Sequence, residues 1–220
     1  MTDAPRTERG TRTRAKLLAA AEEVFSDCGY TAASIVRITE RAGVAQGTFY
    51  LYFGGKLEIF EELVEDLNRR VRHAMTQAAA TATTRLESER AGFRGFFEFT
   101  AAHPALYRIV REAEFVSPRA LKLHYTRIVD GYIQGLTSAR DAGDVGPIDP
   151  AVVAWILMGI GEMVGMRWVL WGDGDRTGGD SDPTASGTSR VPDEVFEQMM
   201  QFIRRGLGAA EPVDAGKDGP

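Results

Sequence analysis

The sequence predicts an all-α protein, with a small N-terminal three-helix domain followed by a larger helical body. Apolar residues recur three and four positions apart through most of the 220 residues, which is the period of one helix face. Ser34, Ser117-Pro118 and Asp149-Pro150 are helix-start signals, because a hydroxyl or carboxylate caps free backbone N–H groups and proline fits the first helical position. A hydrophobic content of 44% is that of a globular chain.

The chain begins with residues 1–10, a polar segment without an apolar stripe, which we expect to form a flexible basic arm. The first helix is predicted from Thr11 to Asp27, with Gly29 ending it. The arm and the start of this helix carry Arg14 and other basic residues. These residues either contact phosphates or form a solvated surface.

Residues 34–56 are the most informative stretch. A short helix is predicted over 35–42, capped by Ser34, and Gly43 supplies the permissive backbone that a sharp reversal needs. A second helix is predicted to start near Ala45. Two short helices joined by a tight glycine-containing turn are typical of the helix-turn-helix, in which the second helix enters the major groove of DNA.

The second of these helices carries more polar groups than packing needs. Phe49 and Phe53 supply an apolar face, whereas hydroxyl and amide side chains lie elsewhere and can bond phosphates and base edges. Lys56 offers an ammonium group at the start of the next helix. The same spacing also fits a small helical hairpin with exposed tyrosines, so the residues alone leave both interpretations open.

Three stretches carry a family resemblance: AKLLAAAEEVFSDCGYTAAS, ITERAGVAQGTFYLYF and GGKLEIF. Residues 13–60, in which they lie, closely resemble the DNA-binding domain of TetR-family transcriptional regulators. The resemblance implies that Lys56 anchors a phosphate. It also implies a recognition-helix surface made of Gln46, Gly47, Thr48, Tyr50 and Tyr52.

One position departs from the pattern of that family. Val36 stands where such regulators often place an arginine that reaches a base or a phosphate, and Arg37 follows it. We therefore expect Arg37, together with Arg14, to provide further DNA contacts.

The body is predicted to contain six helices, which cover residues 56–80, 88–103, 105–114, 118–140, 151–171 and 192 onward. The first of them starts beside the helix-turn-helix and reaches the body, so it is the expected lever between the two regions.

These patterns predict a helix-turn-helix DNA-binding domain over residues 11–56 and a ligand-binding and dimerisation domain over residues 57–208. Residues 172–190 are polar and of low complexity, and we expect a disordered loop there. Residues 209–220 are expected to form an unstructured tail.

The segment formed by residues 151–171 is long and apolar enough to span a bilayer. Glu162 and Arg167 lie within them, which favours a buried helix of a soluble protein. The last two helices carry wide apolar surfaces, which suit a symmetric helix-bundle dimer. In the resembled family the last two helices commonly form the dimer interface. The positions expected at the dimer interface are Gly161, Gly165, Phe196, Met199, Met200 and Ile203.

The body also carries aromatic residues and a few charges in apolar helical surroundings, which suit a ligand pocket. A packed helical core with internal ion pairs is the alternative. The candidate pocket residues are Phe96, Phe97, Tyr107, Arg108, Arg111, Tyr125, Tyr132, Trp155, Met158, Glu162 and Trp168. The arginines suggest an effector with an anionic head group on an apolar tail, such as an acyl-thioester or an aromatic acid.

Charge is distributed unevenly along the chain. The whole chain has a net charge of −5, whereas residues 1–56 hold eight Lys/Arg against six Asp/Glu. The asymmetry fits an N-terminal nucleic-acid module on an acidic body.

The residues give no case for an enzyme. No Ser/His/Asp, Cys/His or HExxH arrangement stands out, and Cys28 is the only cysteine. We therefore predict no catalytic, metal or cofactor site. The polar start lacks a signal peptide, which predicts a cytoplasmic protein without membrane association.

The resulting hypothesis is a homodimeric repressor that binds a near-palindromic operator and is released by a small hydrophobic or amphipathic effector. Two alternatives stay open: a regulator whose ligand promotes DNA binding, and a helical ligand-binding or interaction protein that does not bind DNA.

Overall fold

The computed structural model describes residues 7–171 and 190–208, and within these ranges every regular element is helical. The all-α prediction is confirmed. In chain order the helices are α1 (Glu8–Ala32), α2 (Ile35–Ala42), α3 (Gln46–Phe49), α4 (Lys56–Ala78), α5 (Arg85–Ala102), α6 (Ala105–Val116), α7 (Pro118–Asp141), α8 (Pro150–Gly165), which continues as a π-helical turn over Met166–Leu170, and α9 (Asp193–Leu207). Most of the predicted arm, nearly all of the predicted disordered loop and the predicted tail lie outside the described residues.

Helix starts follow the predicted local signals. The Ser34 hydroxyl accepts a hydrogen bond from the Arg37 N–H at 3.2 Å, and the Asp149 carboxylate accepts from the N–H of Ala151 at 2.9 Å. Pro150 occupies the first turn of α8. These caps satisfy backbone donors that a helix start leaves free, so they are readable from a few adjacent residues.

The first helix starts earlier than predicted. The hydroxyl of Thr7 accepts from the Gly10 N–H at 3.1 Å, and this cap brings residues 8–10 of the expected arm into α1. Regular helical geometry breaks at the expected place, since Gly29 has φ 74° and ψ 170°. This backbone conformation favours glycine, and a Cβ atom at Gly29 would lie 2.5 Å from a carboxylate oxygen of Glu112, which would have to move.

The chain divides into two compact units. Unit 1 comprises the described residues up to His73 together with Glu98–Ile128, and unit 2 comprises Ala74–Phe97 together with the described residues from Val129 onward. This geometric division differs from the predicted boundary at residue 56, because the first part of α4 and all of α6 pack with the N-terminal helices. The functional division into DNA-binding and ligand-binding domains stays a prediction.

Unit 1 has an aromatic core around the end of α1. The ring of Phe60 lies 5.4 Å from that of Phe25 and 5.0 Å from that of Tyr30, with edge-to-face geometry in both pairs. Phe49 and Phe53, four residues apart, are completely buried. The α3 segment is therefore anchored by two aromatic rings, although its regular helical part is only four residues long.

Unit 2 is organised around α5, α8 and α9. Phe97 packs 6.1 Å from Phe93 and 6.3 Å from Phe196, measured between ring centroids. Gly161 of α8 lies against Phe93, where a Cβ atom would approach the ring to 3.0 Å. The N–H of Gly146 donates to the Leu207 carbonyl at 2.8 Å, which attaches the loop before α8 to the end of α9.

Candidate nucleic-acid interface

The helix-turn-helix predicted over residues 34–56 is present within unit 1. Gly43 ends α2 with φ 67°, and the N–H groups of Gly43 and Val44 donate to carbonyl oxygens in the last turn of α2. This reversal needs the left-handed conformation that glycine adopts without strain. The regular part of α3 ends at Phe49, so Tyr50 and Tyr52 lie in the turn after it and not within a longer helix as predicted.

Burial divides this segment into an inner and an outer face. Ile38 and Phe49 have no exposed surface, whereas Tyr50 keeps 52% and Leu51 72% of theirs. Gln46 and Gly47 are exposed, and Thr48 and Tyr52 are half-buried. The predicted recognition residues therefore lie on a face that the rest of unit 1 leaves open, and their hydroxyl and amide groups are of the kind that bonds base edges and phosphates.

Lys56, the predicted phosphate anchor, is held within the chain. Its Nζ atom donates to the carbonyl oxygens of Tyr30 and Ala33, both at 2.8 Å, and lies 4.4 Å from the centroid of the Tyr30 ring. These contacts fasten the link between α1 and α2 to the start of α4. An ammonium group has three donors, so one N–H is left for a phosphate.

Arg14, another predicted DNA contact, has a carboxylate partner. Its guanidinium forms a two-point ion pair with Glu62 of α4 and lies 5.0 Å from the ring centroid of Phe53. Burial lowers the pKa of Arg14, and the acidic Glu58 nearby opposes that shift. Its charge is thus already balanced inside unit 1.

Arg37 differs from Arg14 and from its neighbour Arg41. The Arg41 guanidinium is paired with Glu23 at 2.6 Å and with Asp27 at 3.3 Å, whereas the exposed Arg37 side chain makes no ion pair with any described residue. An exposed guanidinium without a carboxylate partner is a suitable phosphate contact.

The contact between α6 and the end of α1 was not predicted. The Glu112 carboxylate accepts a hydrogen bond from the Tyr30 N–H at 2.9 Å, and the Arg108 guanidinium donates to the Ser26 carbonyl at 2.6 Å. The partners are 82 residues apart in each pair, so no local pattern could have revealed them. Together with Lys56, they hold the α1–α2 link from two sides.

Residues 17–63 match a family model described as bacterial regulatory proteins of the tetR family. These residues span the end of α1, the helix-turn-helix and the start of α4. Over these residues the chain is similar to the TetR family. The resemblance inferred from the residues is confirmed.

Known HTH-type transcriptional regulators match part of this chain. It is 35% identical to the HTH-type transcriptional activator FasR of Mycolicibacterium smegmatis over 113 residues, which are 51% of this chain and 50% of FasR. It is 44% identical to the transcriptional regulator YdgC of Bacillus subtilis over 64 residues, 29% of this chain and 33% of YdgC. The chain thus spans half of the first relative and a third of the second. The relatives are transcriptional regulators and not enzymes, in agreement with the predicted class.

Solved TetR-family structures share the whole fold at low identity. A putative TetR-family regulator from Syntrophomonas wolfei superposes with a TM-score of 0.71 at 20% identity and covers 90% of this chain and 95% of that one. The regulator FadR of Bacillus subtilis, solved in complex with stearoyl-CoA, gives a TM-score of 0.70 at 18% identity, covering 88% and 98%. At such identities the likeness shows the fold.

The predicted pocket residues are distributed over both units. Tyr107, Arg108, Arg111 and Tyr125 belong to unit 1, where Arg108 contacts α1 as described above. The other candidates belong to unit 2 and differ in exposure: Phe97 and Tyr132 are buried, Phe96, Met158, Glu162 and Trp168 are half-buried, and Trp155 is 51% exposed.

The two surface cavities described both lie in unit 1, and neither is lined by a predicted pocket residue. The first, about 470 Å³, lies between α1 and α2 and includes Cys28 and Arg37, while the second, about 670 Å³, lies between α1 and the acidic face of α4. The ligand pocket therefore stays a prediction.

Unit 2 contains a buried ionic cluster that the sequence did not predict. Arg85 pairs with Glu89 one turn later on α5, and its guanidinium lies 5.8 Å from the ring centroid of Tyr132. The backbone N–H of Arg85 also donates to Asp144. Burial raises the pKa of Glu89 and the pKa of Tyr132, and the neighbouring Arg85 opposes both shifts. The buried charges of Arg85 and Glu89 thus compensate each other within unit 2.

The residues predicted for the dimer interface are buried inside a single chain. Four of them, from α9, are at most 7% exposed, and the two glycines of α8 are buried as well: Phe196, Met199, Met200, Ile203, Gly161 and Gly165. They pack α8 and α9 into unit 2, so they leave little surface for a partner. The helical pattern was correct, but it identified the face that the chain itself covers.

The other face of α8 is apolar and exposed, which corrects the expectation of a buried helix. Val152, Trp155, Ile156 and Met163 are each 50–56% exposed, and their spacing places them along one stripe. By length and composition, Pro150–Leu170 could cross a membrane, but only a third of its most apolar window is buried in the structure, and such a helix is weak evidence for a span. On α9, Phe202 is 66% exposed.

Proposed function

We propose that this chain is a DNA-binding transcriptional regulator that acts as a cytoplasmic homodimer on a near-palindromic operator. The observation that carries the proposal is the helix-turn-helix itself, in which Gln46, Gly47 and Tyr50 are exposed and the exposed Arg37 of α2 has no ion pair with any described residue. Each copy inserts α3 into one major groove. Two-fold symmetry then sets the half-sites about 34–36 Å apart, or a multiple of that distance.

The exposed stripe on α8 supports a homodimer. Four large apolar side chains along one stripe of α8 stay about half exposed in one chain, and contiguous apolar patches on soluble proteins mark interaction surfaces. A second copy presents the same surface, so a two-fold axis covers both at once. This assignment gives the apolar stretch a partner without a membrane.

A variant of α8 tests the dimer. Trp155→Glu places a charge in the centre of the stripe and is expected to shift the protein from dimer to monomer in sedimentation velocity experiments. Phe115→Glu is the matched control, because Phe115 is 85% exposed on α6. A Trp155→Glu protein that sediments as the wild type does would contradict this interface.

We further propose that a hydrophobic or amphipathic effector regulates DNA binding, and that repression with release by the effector is the mode. Support comes from the aromatic composition of unit 2 and from the FadR of Bacillus subtilis, which was solved with stearoyl-CoA. Effector binding shifts the equilibrium only as far as the effector prefers the DNA-incompetent state. A ligand-activated binder is the second candidate, because the relative FasR is named an activator.

Fluorescence anisotropy at several salt concentrations tests DNA binding. The duplex comes from in vitro selection with the purified full chain, and sequence-selective affinity should fall steeply with salt. Arg37→Gln should lower the slope of log Kobs against log salt by about 1.8 for a dimer, since each lost phosphate contact contributes about 0.9. Lys122→Gln, an exposed charge change on α7, should leave the slope unaltered.

Two outcomes would lead to other conclusions. No sequence-selective binding would favour a helical ligand-binding or interaction protein without DNA binding. If stearoyl-CoA and aromatic acids are titrated into the complex, equal affinity of a bound ligand for free and operator-bound protein would exclude its role as effector.

A further inference from the structure

The N-terminal half of unit 1 exposes large apolar side chains only in its helix-turn-helix. Among the described residues before Lys56, the large apolar side chains that are exposed are Val36 at 46%, Tyr50 at 52% and Leu51 at 72%. The 25-residue α1 contributes none of them. The exposure is therefore concentrated on the segment that faces DNA in the proposed function.

Core packing does not explain the apolar character of these positions. The inner face of the same segment is already complete, because Ile38, Phe49 and Phe53 have no exposed surface. Val36 lies in the first turn of α2, where a polar residue would be equally compatible with the helix. Leu51 lies in the turn after α3, and a turn has no preference for an aliphatic side chain. Their remaining surface is available to a partner.

DNA offers one apolar group to such a surface. In the major groove, each A·T pair presents the C5-methyl group of thymine, whereas the other groups along the base edges are hydrogen-bond donors and acceptors. The anionic phosphates that border the groove would favour the basic Arg37, which follows Val36 in the sequence. The aliphatic Val36 and the cationic Arg37 thus suit a major groove in which a thymine methyl group lies close to a phosphate.

We propose that Val36 and Leu51 read thymine methyl groups in the operator, so that apolar contact supplies part of its sequence specificity. The inference rests on the proposed DNA-binding function and specifies the base chemistry that the interface recognises. Burying one methyl group is expected to contribute about fourfold in affinity. Because a symmetric dimer makes each contact twice, removing both symmetry-related methyl groups should weaken binding about fifteenfold.

Uracil substitution tests this inference, because deoxyuridine differs from thymidine only by the missing C5-methyl group. Each symmetry-related thymine pair of the selected duplex is replaced in turn, and affinities are measured by anisotropy with wild type, Val36→Ala and Leu51→Ala. We expect at least one pair whose replacement weakens wild-type binding about fifteenfold and has no further effect in one of the two variants. Phe115→Ala, on α6, should retain the full wild-type loss.

The possible failures are distinguishable. If no thymine replacement weakens wild-type binding, or if the loss persists unaltered in both variants, this inference is overturned while the proposed function stands. If the wild type binds no duplex selectively, both are overturned. Circular dichroism of the variants checks their helicity, which should be retained because both side chains are exposed.

Discussion

Lys56 gives a sharp test, because the sequence and the structure assign its ammonium group to different partners. The resemblance implies a phosphate anchor, whereas in the structure Nζ donates to the carbonyl oxygens of Tyr30 and Ala33 at 2.8 Å and lies over the Tyr30 ring. We predict that Lys56→Met, which keeps an aliphatic side chain of similar length and removes the charge, destabilises the fold.

The magnitude follows from the three contacts. A hydrogen bond to a charged group contributes about 1.5–3 kcal/mol net, and a cation–π contact near the surface about 0.5–1 kcal/mol. Lys56 is only half-buried, so water replaces part of each interaction in the variant. The low ends of the three contributions sum to about 3.5 kcal/mol, and with this replacement by water we expect a loss of about 2–3 kcal/mol in the free energy of unfolding.

Urea unfolding monitored by circular dichroism measures this loss. Lys16→Met is the matched control, since Lys16 is exposed on α1 and its replacement should alter stability by no more than about 0.5 kcal/mol. A Lys56→Met variant as stable as the Lys16→Met control would refute the reasoning. The salt dependence of DNA binding gives a separate readout, because its slope falls only if Lys56 also contacts phosphate.

Two further predictions concern buried positions of unit 1. Gly29→Ala should cost about 2–4 kcal/mol, because φ 74° and ψ 170° strain any side chain and a Cβ atom would displace the Glu112 carboxylate; unaltered urea stability would contradict this. Burial lowers the pKa of His124 to about 4 in the folded protein. In the unfolded chain the same imidazole binds a proton below its ordinary pKa of 6.5. Stability should therefore be retained above pH 6.5 and fall by about 2 kcal/mol by pH 5, and His124→Gln, unlike His73→Gln, should flatten this dependence.

The elements that depend on neighbouring residues could be predicted from the sequence. Ser34 caps α2 through an N–H three residues away, and Asp149 caps α8 through N–H groups two and three residues away. The turn at Gly43 is set by its own backbone conformation. Such contacts are encoded by spacing, so the helix-turn-helix and most helix starts were correct.

The contacts between distant segments could not be predicted in this way. Arg85 and Glu89 are one turn apart, but only packing with Tyr132 makes that pair a buried one. The faces of α8 show a second limit, since the helix is apolar on both sides. Periodicity marked Gly161 as a contact position, and only the fold shows that Phe93 of the same chain occupies it.

Tyr30 makes contacts with several segments that are distant in the sequence. Its N–H donates to Glu112 of α6, its carbonyl oxygen accepts from Lys56 of α4, and its ring packs on Phe60. Because Tyr30 lies four residues before the Ser34 cap, a displacement of α6 relative to α4 must strain or break one of these bonds next to the start of α2. In the proposed regulator, an effector that displaces α6 would act on the helix-turn-helix through this residue.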